Sequence, residues 1–279
     1  MENSELQITH AEEKWLKLLF NYCREKFSLA PLPSHDHFHH LRVWNYAKTI
    51  IESLSFQDIY YSQEEVEVLL IAILFHDIGM TITRRKEHGF ESAKICKDFF
   101  TFHPSLTPPS LATILDMIEK HDEKEYIGRA GKQDRPTLSV ILNISDDLDA
   151  FGNIGIYRYT EIYHFRGILL EELPDHILPN LEARFRHFTN YLEQLEPLHR
   201  KRFEITRDFF LKLENEIQKT ASAEAFAIPI VRILIEFSTG SNPDIHSVWA
   251  LSEKYNPGIT VAKFFKDFLE EWDEGDVRF

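Results

Sequence analysis

Fourteen histidines are spread over 279 residues, several of them beside acidic residues, and those in the first 150 positions fall where helices should end or in the turns next to them. Five clusters stand out. SHDHFHHLRVWNYA (34–47) sets His35 and His39 one helical turn apart, and LFHDIGM (74–80) ends an apolar run with His76 and Asp77 side by side. EHGFESAK (87–94) offers His88 at a helix start, IEKHDE (118–123) offers His121 at a helix end, and ISDDLDAFG (144–152) carries Asp146, Asp147 and Asp149. Imidazole and carboxylate together suit Fe, Mn, Zn, Co or Ni better than calcium, which takes all-oxygen sites. A carboxylate can bridge two ions, so four histidines and two aspartates could hold a pair. A coordinated water becomes a nucleophile at neutral pH, which is the logic of a hydrolase. A lone His-Asp pair at a helix end is more often a hydrogen-bonded terminus; it is the company of the other clusters that favours metal.

The elements expected to position these residues are helices. Residues 10–28 place Trp15, Leu16, Leu18, Leu19, Tyr22 and Phe27 near a helical period, and the PLPSHDH segment breaks it. A second helix is expected from about His40 to Leu54. The next, SQEEVEVLLIAILFHD, opens with Ser62 as N-cap and stops before Gly79, delivering His76 and Asp77. Further helices are expected near 88–101, 110–121 and 136–149, between the FHPSLTPPS and GRAGKQDRP loops. No strand pattern of useful length occurs. Beyond residue 166, LPNLEARFRHFTNYLEQLEPLHRKRFEITRDFFLKLENEIQK and ITVAKFFKDFLEEW are amphipathic but poor in candidate ligands, and STGSNPD (238–244) reads as a linker or exposed loop.

Composition sets bounds. The net charge of −14 argues against a broad surface for extended nucleic acid, which needs a basic stripe. Small anions remain open, since a metal and local cations such as Arg84, Arg85 and Lys86 can hold a phosphate whatever the total charge. The two cysteines, Cys23 and Cys96, lack metal-like spacing and fit reduced thiols in a cytoplasm. The longest apolar stretches, such as VEVLLIAILF, are too short to span a bilayer, and no signal or anchor is expected.

In their order along the chain, SHDHFHHLRVWNYA, FHDIG, EHGFESAK, IEKHD and ISDDLDAFGNIGIYR resemble the HD-domain superfamily of metal-dependent phosphohydrolases. The resemblance spans roughly residues 30–165. It implies an all-α, HD-type helical bundle over residues 1–165, with additional C-terminal helices over 166–279 packing on it, as a separate extension or as one continuous domain. It also implies one or two divalent transition-metal ions and hydrolysis of a nucleotide or other small phosphate ester, a mono- or diester, through a metal-bound hydroxide. By the family's pattern metal one takes His39, His76, Asp77 and Asp146, and Asp77 bridges to metal two with His88 and His121; Asp77 and Asp146 carry the catalytic roles. His39 is preferred to His40 because the family's H-x-x-R-V run then matches HHLRV.

Arg84, Arg85 and Lys86 follow closely enough to reach a substrate phosphate, and Asp36, Asp122 and Asp147 could fix ligand tautomers. Asp149 would orient a ligand or hold Arg158. His35, His37 and His40 read as surrounding groups, and His103, His164, His176, His187, His199 and His246 as unrelated to the site. The sequence departs from close relatives at Asp147, where a basic residue is common, and at Phe38, where an aspartate is. A diiron oxygenase, a non-catalytic HD-like protein that binds a partner, and a purely structural metal stay open. So does the oligomeric state, a homo-oligomer included.

Overall fold

A computed structural model gives the fold and describes residues 4–28, 30, 32–85, 87–122, 135–219, 225–240, 244–255 and 258–275. The described residues contain helices and turns and no strand, so the chain is all-α as expected. Among them no helix is long and apolar enough to cross a membrane. Two compact units are present: one comprises Met1–Ala30, His35–Leu148 and Asn190–Leu192, the other Pro31–Ser34, Asp149–Thr189 and Glu193–Phe279.

In the first unit α1 (Ser4–Ala11) and α2 (Lys17–Phe27) are joined by a π turn over Glu12–Leu16, and α3 (His37–Ser55) follows. α3 starts earlier than its apolar periodicity suggested, because the Asp36 carboxylate caps it, accepting the Phe38 and His39 N–H groups at 3.0 and 3.2 Å. α4 (Gln63–Phe75) opens on a capping box: Glu65 N–H donates to Ser62 Oγ, and Ser62 N–H donates to the Glu65 carboxylate. Val66 and every residue from Val68 to Phe75 are buried, so α4 is apolar all round and forms the axis of this unit. α1, α2 and α3 pack on it, as do α5 (His88–Phe102) and α6 (Leu111–Lys120), which also pack on each other; α7 (Leu138–Asp149) follows in the chain. The GRAGKQDRP loop lies almost entirely outside the described residues.

At the end of α4 the carbonyls have no helical partner. The Cys23 thiol donates to one of them, Leu74 O, at 2.8 Å. Cys23 and Cys96 are both free and buried, and burial pushes both thiols well above their ordinary range. Thiolate is the reactive form, so a thiol-specific chromogenic reagent should label neither cysteine in the native protein and both in denaturant.

The second unit holds α8 (Gly152–Phe165), α9 (Leu173–Tyr191), α10 (Glu196–Gln218), α11 (Ala227–Ser238), α12 (Ser247–Lys254) and α13 (Ile259–Gly275). Buried carboxylates do local work here. Glu216 accepts the N–H groups of Phe226, Ala227 and Ile228 and so caps α11 from outside its own sequence. Glu161, fully buried on α8, accepts the Tyr157 hydroxyl at 2.9 Å and the Ser34 hydroxyl, while Arg158 donates to Ser34 O and pairs with buried Asp149 at 3.3 Å.

Candidate metal centre

Five helices of the first unit supply the chemistry. His39 lies in the first turn of α3, His76 caps the C-terminus of α4, and Asp77 follows it with φ −108° and ψ 4°, opening a 3₁₀ turn over Ile78–Thr81. His88 is the first residue of α5, His121 caps the C-terminus of α6, and Asp146 sits on α7. These six are brought together as two groups, His39, His76, Asp77 and Asp146 in one and Asp77, His88 and His121 in the other. Within each group the potential ligand atoms lie within 4.8 Å of one another. The four imidazoles are buried and the Asp146 side chain is 13% exposed.

Asp77 belongs to both groups through different atoms. Its Oδ2 lies 3.5 Å from the Nε2 atoms of His39 and His76, and its Oδ1 lies 3.2 Å from His88 Nε2 and 3.0 Å from His121 Nε2. Asp146 Oδ1 completes the first group at 3.5 Å from His39 Nε2. Each carboxylate oxygen of Asp77 therefore faces its own pair of imidazoles.

The imidazoles are held from behind by backbone. His76 Nδ1 is 2.7 Å from Ile73 O, His88 Nδ1 2.8 Å from Arg85 O, and His121 Nδ1 2.7 Å from Ile118 O, each a carbonyl three residues back. A carbonyl only accepts, so Nδ1 donates in all three and the lone pair of the neutral ring sits on Nε2. When both rings are neutral, the lone pairs of His88 and His121 face one another across 3.2 Å; His39 and His76 Nε2 are also 3.2 Å apart. Such pairs repel unless a cation or a shared proton lies between them. Nitrogen and oxygen donors in this number suit a divalent transition ion.

The electrostatics of the metal-free cluster follow the same geometry. Burial would raise the Asp77 carboxyl, but the His76 charge and hydrogen bonds from His121, His39 and His88 outweigh it and hold it well below the usual carboxylate range. Burial pushes His76 down to about 4. Burial also works to lower His88, yet the hydrogen bond and charge of Asp77 raise it to about 9, with Asp122 adding to the rise.

Two close backbone approaches join the pieces. A Cβ on Gly79 would lie 2.1 Å from His88 O and 2.5 Å from Ser92 N. One on Gly89 would lie 2.6 Å from Glu119 O. Glycine lets the turn after Asp77 lie against α5, and α5 against α6, at distances that no side chain permits.

Other residues singled out in the sequence fall elsewhere. His40 packs its ring 5.3 Å from that of Phe27 and 4.9 Å from that of His76, where burial holds it well below its ordinary range, and it joins neither group. His35 stacks edge-on against His39 at 5.8 Å. Asp36 caps α3, Asp122 is exposed and Asp147 is fully buried; backbone carbonyls, rather than these carboxylates, meet Nδ1 of His76, His88 and His121. Asp149 holds Arg158. Arg84 is half-buried and Arg85 exposed, and it is the Arg85 carbonyl that reaches His88; Lys86 lies outside the described residues. His103, His164, His176, His187, His199 and His246 belong to neither group. Sequence reasoning missed Ser92, whose buried Oγ accepts the Gly79 N–H at 2.7 Å; a serine inside a helix gives no periodic signal.

The family model described as the HD domain matches residues 38–150. That stretch contains all six residues of the two groups. No curated protein and no solved structure matches the chain.

Proposed function

Residues 38–150 are an HD domain, and from that premise we propose that the protein is a metal-dependent phosphohydrolase acting on a nucleotide or another small phosphate ester. The observation that carries this reading is the double-faced carboxylate: Asp77 turns one oxygen to each of two imidazole pairs whose Nε2 atoms are 3.2 Å apart. His39, His76, Asp77 and Asp146 would hold one divalent ion, and Asp77, His88 and His121 a second. When bound, such ions act as Lewis acids toward phosphoryl oxygens and make water acidic enough to attack at neutral pH.

The chain's own residues do the rest. Asp77 fixes the spacing of the two positions. The second group supplies three protein donors against four in the first, which leaves it more room for substrate oxygens and water. Asp146, with its side chain 13% exposed, is the carboxylate placed to take a proton from the attacking water. Water adds its oxygen to phosphorus, the ester P–O bond breaks, and the leaving oxygen takes up a proton, giving an alcohol and a phosphate. Arg84 and Arg85 follow the His-Asp turn closely in the chain and would add local positive charge for the phosphoryl group.

The test is anaerobic reconstitution of metal-free protein with Mn, Fe, Co, Ni or Zn, followed by phosphate release from a panel of nucleotides and simple mono- and diesters with dissolved oxygen monitored. Metal-dependent phosphate or alcohol release without oxygen uptake is the expected result. Oxygen consumption with no hydrolysis of any ester would overturn the reading in favour of an oxygenase.

A further inference from the structure

Ser92 sits one turn into α5, four residues after His88, and is fully buried. Its Oγ accepts the Gly79 N–H at 2.7 Å across a sequence separation of 13 residues. Gly79 lies two residues beyond Asp77, in the first part of a 3₁₀ turn where N–H groups lack a partner within the turn. The hydroxyl therefore satisfies a buried donor that would otherwise be orphaned, and it does so where the Asp77 turn touches the helix that begins with His88. The backbones also meet there, Gly79 being hard against His88 O and Ser92 N.

We propose that Ser92 is a positioning residue for the second metal position, acting through the Gly79 N–H to set Asp77 Oδ1 against His88 and His121; this rests on the metal-centre reading above. The two halves of the cluster reach Asp77 by different routes. His76 is its covalent neighbour. His88 and His121 stand on α5 and α6, which pack closely on each other, and the Gly79–Ser92 hydrogen bond ties this pair to the Asp77 turn. Losing the hydroxyl leaves a buried N–H unpaired and lets the turn relax away from α5. The Oδ1 side loses its spacing while the Oδ2 side keeps its own.

The experiment is a titration of metal-free protein with Mn²⁺, read as ions bound per chain and as the affinity of each step, on wild type, Ser92→Ala, Ser92→Thr and His88→Ala. For Ser92→Ala the expected result is an unchanged first step and a second step weakened by about 10–100-fold, the usual effect of removing a group that orients a ligand. Ser92→Thr, which keeps the hydroxyl, should recover most of it. Should the alanine variant not fold, Ser92→Cys keeps the volume with a weak acceptor and should give the same selective loss. Wild-type affinity at both steps in Ser92→Ala, or equal weakening of both, overturns the proposal. If His88→Ala also binds Mn²⁺ as wild type does, it is the metal-centre reading itself that fails.

Discussion

Asp77→Asn is expected to empty both metal positions and to lower metal-dependent hydrolysis by about 10³-fold or more, since Lewis-acid stabilisation contributes several kcal/mol and each 1.4 kcal/mol is tenfold. No other substitution in the cluster should reach both halves. The asparagine keeps the shape, but it turns an NH₂ toward one imidazole pair and a neutral oxygen toward the other, where Asp77 now presents Oδ1 at 3.0 Å to His121 and Oδ2 at 3.5 Å to His39. His88→Ala removes a donor from the second group alone, and Asp146→Ala from the first alone. Elemental analysis of the three variants beside wild type separates these patterns, and an Asp77→Asn protein that retained both ions would remove Asp77 from the role of bridge.

The same substitution has a signature without metal. His88 is raised to about 9 chiefly by Asp77, against the effect of burial. A histidine whose folded pKa lies above its unfolded value contributes stability that is complete below pH ~6.5 and is lost as pH rises through the folded value. Metal-free wild type should therefore lose a part of its stability between about 6.5 and about 9 that Asp77→Asn lacks, measurable as the difference between their melting temperatures across that window.

Gly79→Ala should be the most damaging single methyl group in the first unit. Its Cβ would meet His88 O at 2.1 Å, Ser92 N at 2.5 Å and Ser92 Oγ at 2.8 Å. Two of these three are backbone atoms of α5, so relief requires moving the helix rather than turning a side chain. Overpacking costs roughly 1–3 kcal/mol in ordinary cores, and a backbone clash belongs at the upper end, which for a chain of this size means a fall in melting temperature of roughly 5–10 °C. Because the moved helix carries His88, the second metal position should be lost together with the stability. Thermal unfolding of the metal-free variant measures the first effect and Mn²⁺ titration the second; a melting temperature within a degree or two of wild type would show that α5 yields without cost.

Much of this architecture is written locally in the chain. Ser62 with Glu65 three residues on is a capping box that can be read directly, and the unbroken apolar run behind it makes α4 a central helix whose end must present His76 and Asp77. The start of α5 was legible at His88, and that of α7 to within two residues from the polar loop before it. α8 was not: Gly152 and Gly155 interrupt its beginning, and Ile154 through Ile162 are all buried, Arg158, Thr160 and Glu161 among them, so polar and apolar types do not separate onto two faces. α11 has a buried stripe through Ile230, Val231, Leu234 and Phe237, but Pro229 near its start and apolar Ile228 and Ile235 off that stripe blur its pattern in the sequence. The six residues that the structure gathers were legible because their types are chemically distinctive. Ser92 and the carbonyls of Ile73, Arg85 and Ile118 were not, because their roles come from close approach or from the backbone, which every residue carries alike.

Those three carbonyls also decide the charge balance. Had carboxylates held the outer nitrogens of His76, His88 and His121, each would have brought a negative charge to the cluster's edge; peptide oxygens do the same work as neutral dipoles. The six donors then carry only the charges of Asp77 and Asp146. Two divalent ions set among them would leave two positive charges uncompensated, the complement of a phosphate monoester dianion. In a chain of net charge −14, neutral scaffolding behind the histidines would thus give the metal-loaded cluster an electrostatic demand for an anion.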